Sequence, residues 1–303
     1  MSINFSQSIV SFLDHCLATR VLSKHTVSAY KIDLQHAKNF FGAEALVREI
    51  SKEDVINYVS YLRSVSKHSM SSVKRRYSTV KQLFQFLEEI GTIEQSPCYR
   101  LKLKLKLPLT LPKSVPRSLI SAIISTAERN VEVNRSYDDL LLLVMIIILL
   151  LTGIRIGELI GIKIDDITLE DGSIMINGKG SRERKVYITT DRAIEMLNSF
   201  LVQREEVIGN SRHLFVSISG RKLTTDSARR RLQSLVTEAG IQSRITPHML
   251  RHTAATFLIE AGVDIRVVQK LLGHSSIITT QIYTHVTDSS LRSIITTANA
   301  LKW

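Results

Sequence analysis

Six side chains in the second half of the sequence carry the groups that phosphodiester chemistry needs: Arg155, Lys179, His248, Arg251, His274 and Tyr283. They fall in short segments: TGIRIGEL around Arg155, NGKG around Lys179, HMLRH from His248, LLGH ending at His274, and TQIY ending at Tyr283. Splitting a phosphodiester requires stabilising extra negative charge on a pentacoordinate phosphate, supplying a nucleophile and protonating the leaving oxygen. Without acidic metal ligands, arginines must do the first job, and their planar fork binds phosphate oxygens two at a time. A free phenol titrates near about 10, so Tyr283 needs cationic surroundings or a nearby base to attack at neutral pH. Histidines titrate in the range that lets them take that proton.

Each residue alone has a plainer explanation. His248 and His252 stand at i and i+4, like the paired ligands of a zinc protease helix, but that motif needs Glu where Met249 stands. Arg251 would also put a fixed positive charge beside the metal. Arg155 and Glu158 match an ordinary i,i+3 helix pair. Lys179 in a turn is ordinarily a solvated lysine, and Tyr283 is one of eight tyrosines, most of which belong in cores. Only the joint arrangement answers a single chemical problem, and it does so without a metal or other cofactor.

The elements that must position these groups are mostly helical. Residues 5 to about 97 read as helices only. Ile9, Phe12, Leu13 and Leu17 keep helical spacing, and Ser23 precedes a second amphipathic stretch over 26–41. Ser51, with Asp54 three residues on, is a plausible cap for a third helix that runs to Leu62. A fourth spans about 69–89, with Lys74, Arg75 and Arg76 in its early turns and Leu83, Phe84 and Leu87 in its later ones. The stretch LKLKLKLPLTLPKSVP, 101–116, alternates as an amphipathic strand would. Its prolines argue instead for an extended linker whose lysines are free to follow a phosphate backbone. Beyond it, helices are expected near 118–127, 140–151, 191–206, 224–238, 247–261, 264–272 and 288–301. Short strands are expected at 167–169, 173–176 and 185–188. In the last helix Leu291, Ile294, Ile295, Ala298 and Leu301 form one apolar stripe.

The bulk numbers agree with a DNA-directed chain. With 44% apolar and 22% charged residues it has the balance of a globular protein, and 303 residues allow two domains. The net charge is +12 and the pI about 9.8. Up to residue 110 there are 16 basic against 9 acidic residues, and after it 24 against 19, so the halves carry +7 and +5. Neither is a basic tail on a neutral body, and a polyanionic partner is the natural expectation. Cys16 and Cys98 form no metal-ligand or disulfide pattern. The apolar run 140–151 is too short to span a bilayer, and the first residues lack the pattern of a secretory signal. A cytoplasmic location with no membrane partner is expected.

The order Arg, Lys, His-x-x-Arg, His, Tyr, set in TGIRIGELIGIKIDDI, GKGSRERKV, ITPHMLRHTAATFLIEAGVDIRVVQKLLGH and TTQIYTHV, resembles the tyrosine recombinase (phage integrase) family, most closely its compact Xer-type members. The resemblance covers essentially the whole second domain. It implies a mainly α fold: a helical, SAM-like core DNA-binding domain over 1–100, a linker over 101–116, and a catalytic domain over 117–303. That catalytic domain would carry a small antiparallel β-sheet and end in an exchange helix docked on a neighbouring protomer, although the tail stripe would also suit its own domain's core.

The same resemblance implies that Arg155 and Arg251 clamp the scissile phosphate and that Lys179 protonates the departing 5′ oxygen. His248 would hydrogen-bond the phosphate and help take the tyrosine proton, His274 would orient the phosphate, and Tyr283 would become linked to the 3′ phosphate. Glu158 and His252 would support them, Glu158 by orienting Arg155. Lys74, Arg75 and Arg76 would lie against DNA. The implied partners are a double-stranded recombination site and further copies of the chain, a dimer on a site and a tetramer in the synapse. The rival activities are a type IB topoisomerase-like strand transfer and a catalytically idle DNA-binding regulator.

Overall fold

The structure, a computed structural model, describes residues 3–19, 22, 24–103, 105, 114–178, 183–273 and 294–298. The chain divides into two compact units, Met1–Thr110 and Leu111–Trp303.

The first unit is four helices: α1 (Phe5–Thr19), α2 (Lys24–Phe41), α3 (Lys52–Ser64) and α4 (Met70–Glu89). Local chemistry sets their ends. At α3 the Ser51 hydroxyl accepts from the Asp54 N–H at 3.2 Å while the Asp54 carboxylate accepts from the Ser51 N–H at 2.8 Å, the reciprocal cap expected from the sequence. Ser69 caps α4 from one side only, its hydroxyl accepting from the Ser72 N–H. Phe5, Phe12, Leu34, Tyr58, Leu62, Leu83, Phe84 and Leu87 fill the interior between the helices. Leu101, Leu103 and Leu105 of the alternating stretch are partly buried against this core, so its leucines have a task that a free linker would not give them.

The second unit is built on α6 (Tyr137–Thr152). Its apolar residues lie on every face, and a helix of that kind must be surrounded. It is packed against α5 (Arg117–Asn134), α8 (Asp191–Ile208) and α10 (Pro247–Glu260). The unit also contains the four-residue α7 (Ile156–Leu159), α9 (Thr225–Glu238) and α11 (Ile265–Leu272). The strands β1 (Ile167–Thr168), β2 (Ser173–Asn177) and β3 (Glu183–Tyr187) form one antiparallel sheet in the order β1-β2-β3, with Ile174 opposite Val186 and Asn177 opposite Glu183. Gly172 makes the first turn possible: its φ is +63°, and a Cβ there would meet the Ile188 carbonyl oxygen at 2.2 Å. The expected mainly helical architecture with a small antiparallel sheet is the one observed. Among the described residues no helix is long and apolar enough to cross a membrane.

A third apolar cluster gathers Tyr187, Leu258, Val263, Val267, Val268, Leu271 and Leu272 around the buried Ile295, with Ile294 and Ala298 packed beside it. The described part of the tail stripe, Ile294, Ile295 and Ala298, is packed within its own unit. The physical reason is that α10 and α11 leave an apolar face that three tail residues can close. Leu291 and Leu301 lie outside the described residues.

Candidate active site

The site begins where α6 stops. Gly153 ends that helix in the left-handed conformation (φ +62°), which favours glycine, and a Cβ on it would crowd Leu272 Cδ2 of α11 at 2.5 Å. Two residues on, Arg155 stands in extended backbone as the residue preceding α7. Glu158 folds back on it. One carboxylate oxygen accepts from the Arg155 N–H (2.8 Å) and the other from Arg155 Nη1 (2.9 Å).

Glu158 has a second cation that sequence reasoning missed. Arg184, on β3, grips both carboxylate oxygens, with Nη2 at 2.8 Å and Nη1 at 3.2 Å. Burial pushes the Glu158 carboxyl up, but hydrogen bonds from Arg184 and Arg155 outweigh it and hold the carboxyl below its usual range. A sequence signal existed. Arg155 alone leaves a buried carboxylate short of donors, and Arg184 stands five positions after Lys179 in the sequence.

Arg251 comes from α10. Thr246 caps that helix through the Met249 N–H and Pro247 fills its first position, which puts His248 in the exposed first turn and Arg251 one turn further in. The Arg251 side chain donates to the Gly153 carbonyl (2.7 Å) and the Leu272 carbonyl (2.7 Å), and the residue is only 4% exposed. Burial first, and then repulsion from Arg155, lower its pKa to about 10; it stays charged at neutral pH. His252, a turn after His248, is partly exposed.

All three guanidiniums meet one place. Arg184 Nε donates to the Leu271 carbonyl (2.9 Å), Arg251 Nη2 to that of Leu272, and Arg155 Nη2 to that of Gly273 (3.2 Å). These are consecutive carbonyls at the C-terminal end of α11, which carries the partial negative charge of the helix dipole and leaves carbonyls without helical partners. Three cations against one carboxylate leave two positive charges in surplus. The arrangement can hold an anion and stabilise charge that builds on it.

Lys179, His274 and Tyr283 lie outside the described residues. In the sequence, Lys179 falls between the paired β2 and β3, and His274 directly follows Gly273. Among the described residues no group of three or more His, Cys, Asp or Glu side chains is placed to hold a metal ion, and the central carboxylate is already saturated by arginines.

In the first unit the expected DNA-facing residues part company. Lys74 and Arg75 are exposed, but Arg76 is buried and turned inward. Its Nε is 3.6 Å from the buried Asp33 carboxylate, and its Nη1 contacts His68 Nε2. Arg75 Nη1 reaches the same carboxylate at 2.5 Å. Arg76 belongs to the inner stripe of α4 with Val73, Val80, Leu83 and Leu87, a spacing that was readable beforehand. In this structure the Arg76 guanidinium is engaged by Asp33 and His68 in the interior of the unit.

Comparison with known proteins places this arrangement. The phage integrase family matches residues 116–290, and the N-terminal SAM-like domain of phage integrases matches residues 9–91. A tyrosine recombinase of Agathobacter rectalis is 35% identical over 299 residues, covering 96% of each chain. The tyrosine recombinase XerD of Shewanella oneidensis is 32% identical, covering 94% of each. In fold, the chain is similar to the XerH site-specific recombinase in a post-cleavage complex with palindromic difH substrate (TM-score 0.71, 24% identity, 94% of this chain and 83% of that one). It is similar also to lambda integrase in a tetramer bound to a Holliday junction (TM-score 0.71, 18% identity, 92% and 79%). The family match spans most of the catalytic unit, the two relatives match the chain nearly end to end, and Arg155, Arg184 and Arg251, gathered at the end of α11, all lie within the matched region: the chain belongs to the phage integrase family of tyrosine recombinases.

Proposed function

We propose that this recombinase cleaves and rejoins double-stranded DNA through a 3′-phosphotyrosyl intermediate on Tyr283, with its own side chains supplying the charge stabilisation. The observation that carries the reading is the convergence of Arg155, Arg184 and Arg251 on the end of α11, directly ahead of the segment that holds His274 and Tyr283. Arg155, with a half-exposed side chain, meets the non-bridging oxygens. Arg251 has two of its five N–H donors engaged by carbonyls and keeps the others for the same phosphate. Tyr283 Oη forms the new bond to phosphorus as the P–O5′ bond breaks. The phenolic proton passes to His248, and Lys179 gives a proton to the departing 5′ oxygen. His274 orients the phosphate. Rejoining runs these steps in reverse, with a 5′ hydroxyl of another strand as nucleophile.

The same proposal assigns Lys74 and Arg75 to the phosphate backbone and supposes two protomers on a site and four in a synapse. It places the reaction in the cytoplasm, where the buried thiols of Cys16 and Cys98 stay reduced.

The test is to capture covalent protein–DNA adducts from a genomic DNA library in excess EDTA and sequence the junctions. Wild-type protein should yield adducts at one recurring sequence. Tyr283→Phe keeps the ring and should bind that sequence while forming no adduct. Adducts from Tyr283→Phe would move the nucleophile elsewhere. Relaxation of supercoiled plasmid lacking the recurring sequence would favour a topoisomerase-like activity instead.

A further inference from the structure

Arg184 is the residue whose position the recombinase reading does not yet use. It lies on β3, remote in sequence from both Glu158 and Leu271, yet one guanidinium bonds to each of them. Its fork takes both oxygens of Glu158 and its Nε takes the Leu271 carbonyl, so three of its donors go to two separate segments. A lysine ammonium is a single point of charge and cannot span those acceptors in one plane. The neighbouring backbone is shaped to it as well. A Cβ on Gly273 would lie 3.1 Å from Arg184 Cζ and Nη1, and Gly273 itself holds φ +64°.

Charge supplies the second argument. Glu158 is deeply buried, its side chain 9% exposed, and it shares each oxygen between Arg155 and Arg184. Were Arg184 absent, Arg155 would be the sole cation on that carboxylate and would be drawn into a closed neutral pair. With Arg184 present at 16% side-chain exposure, the carboxylate is answered from behind. The 49% exposed Arg155 side chain then keeps its charge directed outward.

Resting on the recombinase reading, we infer that Arg184 is a positioning residue for strand cleavage: through Glu158 it sets the orientation and free charge of Arg155, and through Leu271 it fixes the end of α11 from which the His274 and Tyr283 segment departs. It touches no substrate. Its effect reaches the phosphate only through Arg155 and α11.

The test uses the full chain and a nicked duplex carrying the sequence recovered from the adduct junctions. Arg184→Gln should lower the single-turnover rate of adduct formation roughly 10- to 100-fold, the scale on which outer partners of a site residue act, with gel-shift affinity for the duplex unchanged. Arg184→Lys keeps the charge without the fork and should stay well below wild type. The discriminating readout is a duplex with a methylphosphonate at the scissile position, which lacks the charge that Arg155 answers. There the Arg184→Gln penalty should shrink, whereas general loosening of the fold would slow both substrates alike.

Wild-type rates for Arg184→Gln, or an equal penalty on both duplexes, would overturn the inference. If Arg184→Gln fails to fold, Arg184→Lys decides, and a wild-type rate from it overturns the inference equally. Absence of adduct from wild-type protein would bring down the recombinase reading itself and this inference with it.

Discussion

Asp33 in the helical unit and Glu158 in the catalytic unit each stand between two arginines, and the consequences differ. Asp33 is fully buried and both its arginines, Arg75 and Arg76, come from adjacent positions of one helix. Thr79 of that helix adds a hydroxyl at 3.1 Å. The group locks α2 to α4 and ends there. Glu158 receives arginines from two different segments, and both reach past it to the carbonyls of α11. A third, Arg251, joins them at the same helix end. Identical chemistry thus makes a packing lock where the cations share one helix, and a charged platform where they come from separate elements and outnumber the carboxylate. Number and origin of the arginines, not the pairing itself, separate structure from site.

The comparison can be broken at its strongest point first. Asp33→Ala leaves Arg76 buried without its carboxylate and should destabilise the helical unit by about 3–5 kcal/mol, the cost of stranding a buried charge. Chemical denaturation followed by hydrogen exchange in α2 and α4 measures it. A loss under about 1 kcal/mol would show that Asp33 is no lock, being within the range of an exposed pair.

Glu158→Gln should do the opposite, with a modest loss of stability and a fall in adduct formation of about 10²-fold, or about 2.7 kcal/mol of barrier. It raises the positive surplus, so an accelerated reaction would mean that net charge matters more than orientation. Acid titration sharpens this. The folded Glu158 pKa lies below its ordinary value of 4.5, so its contribution to stability is complete above that value and is lost as pH falls through the folded pKa. Melting temperatures of wild type and Glu158→Gln should therefore converge as pH drops below 4.5. Curves that stay parallel would remove Glu158 as a linked group.

The smallest expected effect is that of Arg75→Ala, about 1 kcal/mol or less, because that side chain is half-exposed and its pair is screened. The same substitution should weaken DNA binding uniformly across sequences and flatten its salt dependence, if Arg75 faces phosphate as proposed. Arg76→Ala should instead act through stability alone.

Much of this was written in the sequence. Helix ends at Ser51, Ser69, Thr246 and Gly153 follow from caps a few residues long, and strands near 173–176 and 185–188 follow from alternation between turn residues. Such signals are local, so they survive without knowledge of the fold. The order of catalytic residue types was likewise readable, because it lies in contiguous motifs. Arg76 was half-legible: its charge pointed outward to DNA, its helical spacing pointed inward, and burial of Asp33 decided for the inside.

Tertiary structure alone determined the rest. Nothing near Arg184 in the chain names Glu158, 26 positions away, or Leu271, 87 positions away, as its partners. Arg251 and Gly153 are 98 positions apart. Ile295 of the tail stripe joins a cluster with Val263, Val267 and Leu271, neighbours that the spacing of the stripe does not name. A side chain's donors and a helix's unpaired carbonyls are fixed by residue type and element boundary. Which donor meets which carbonyl depends on how α6, α10, α11 and β3 pack, and that is set by the burial of apolar surface distributed over the whole unit.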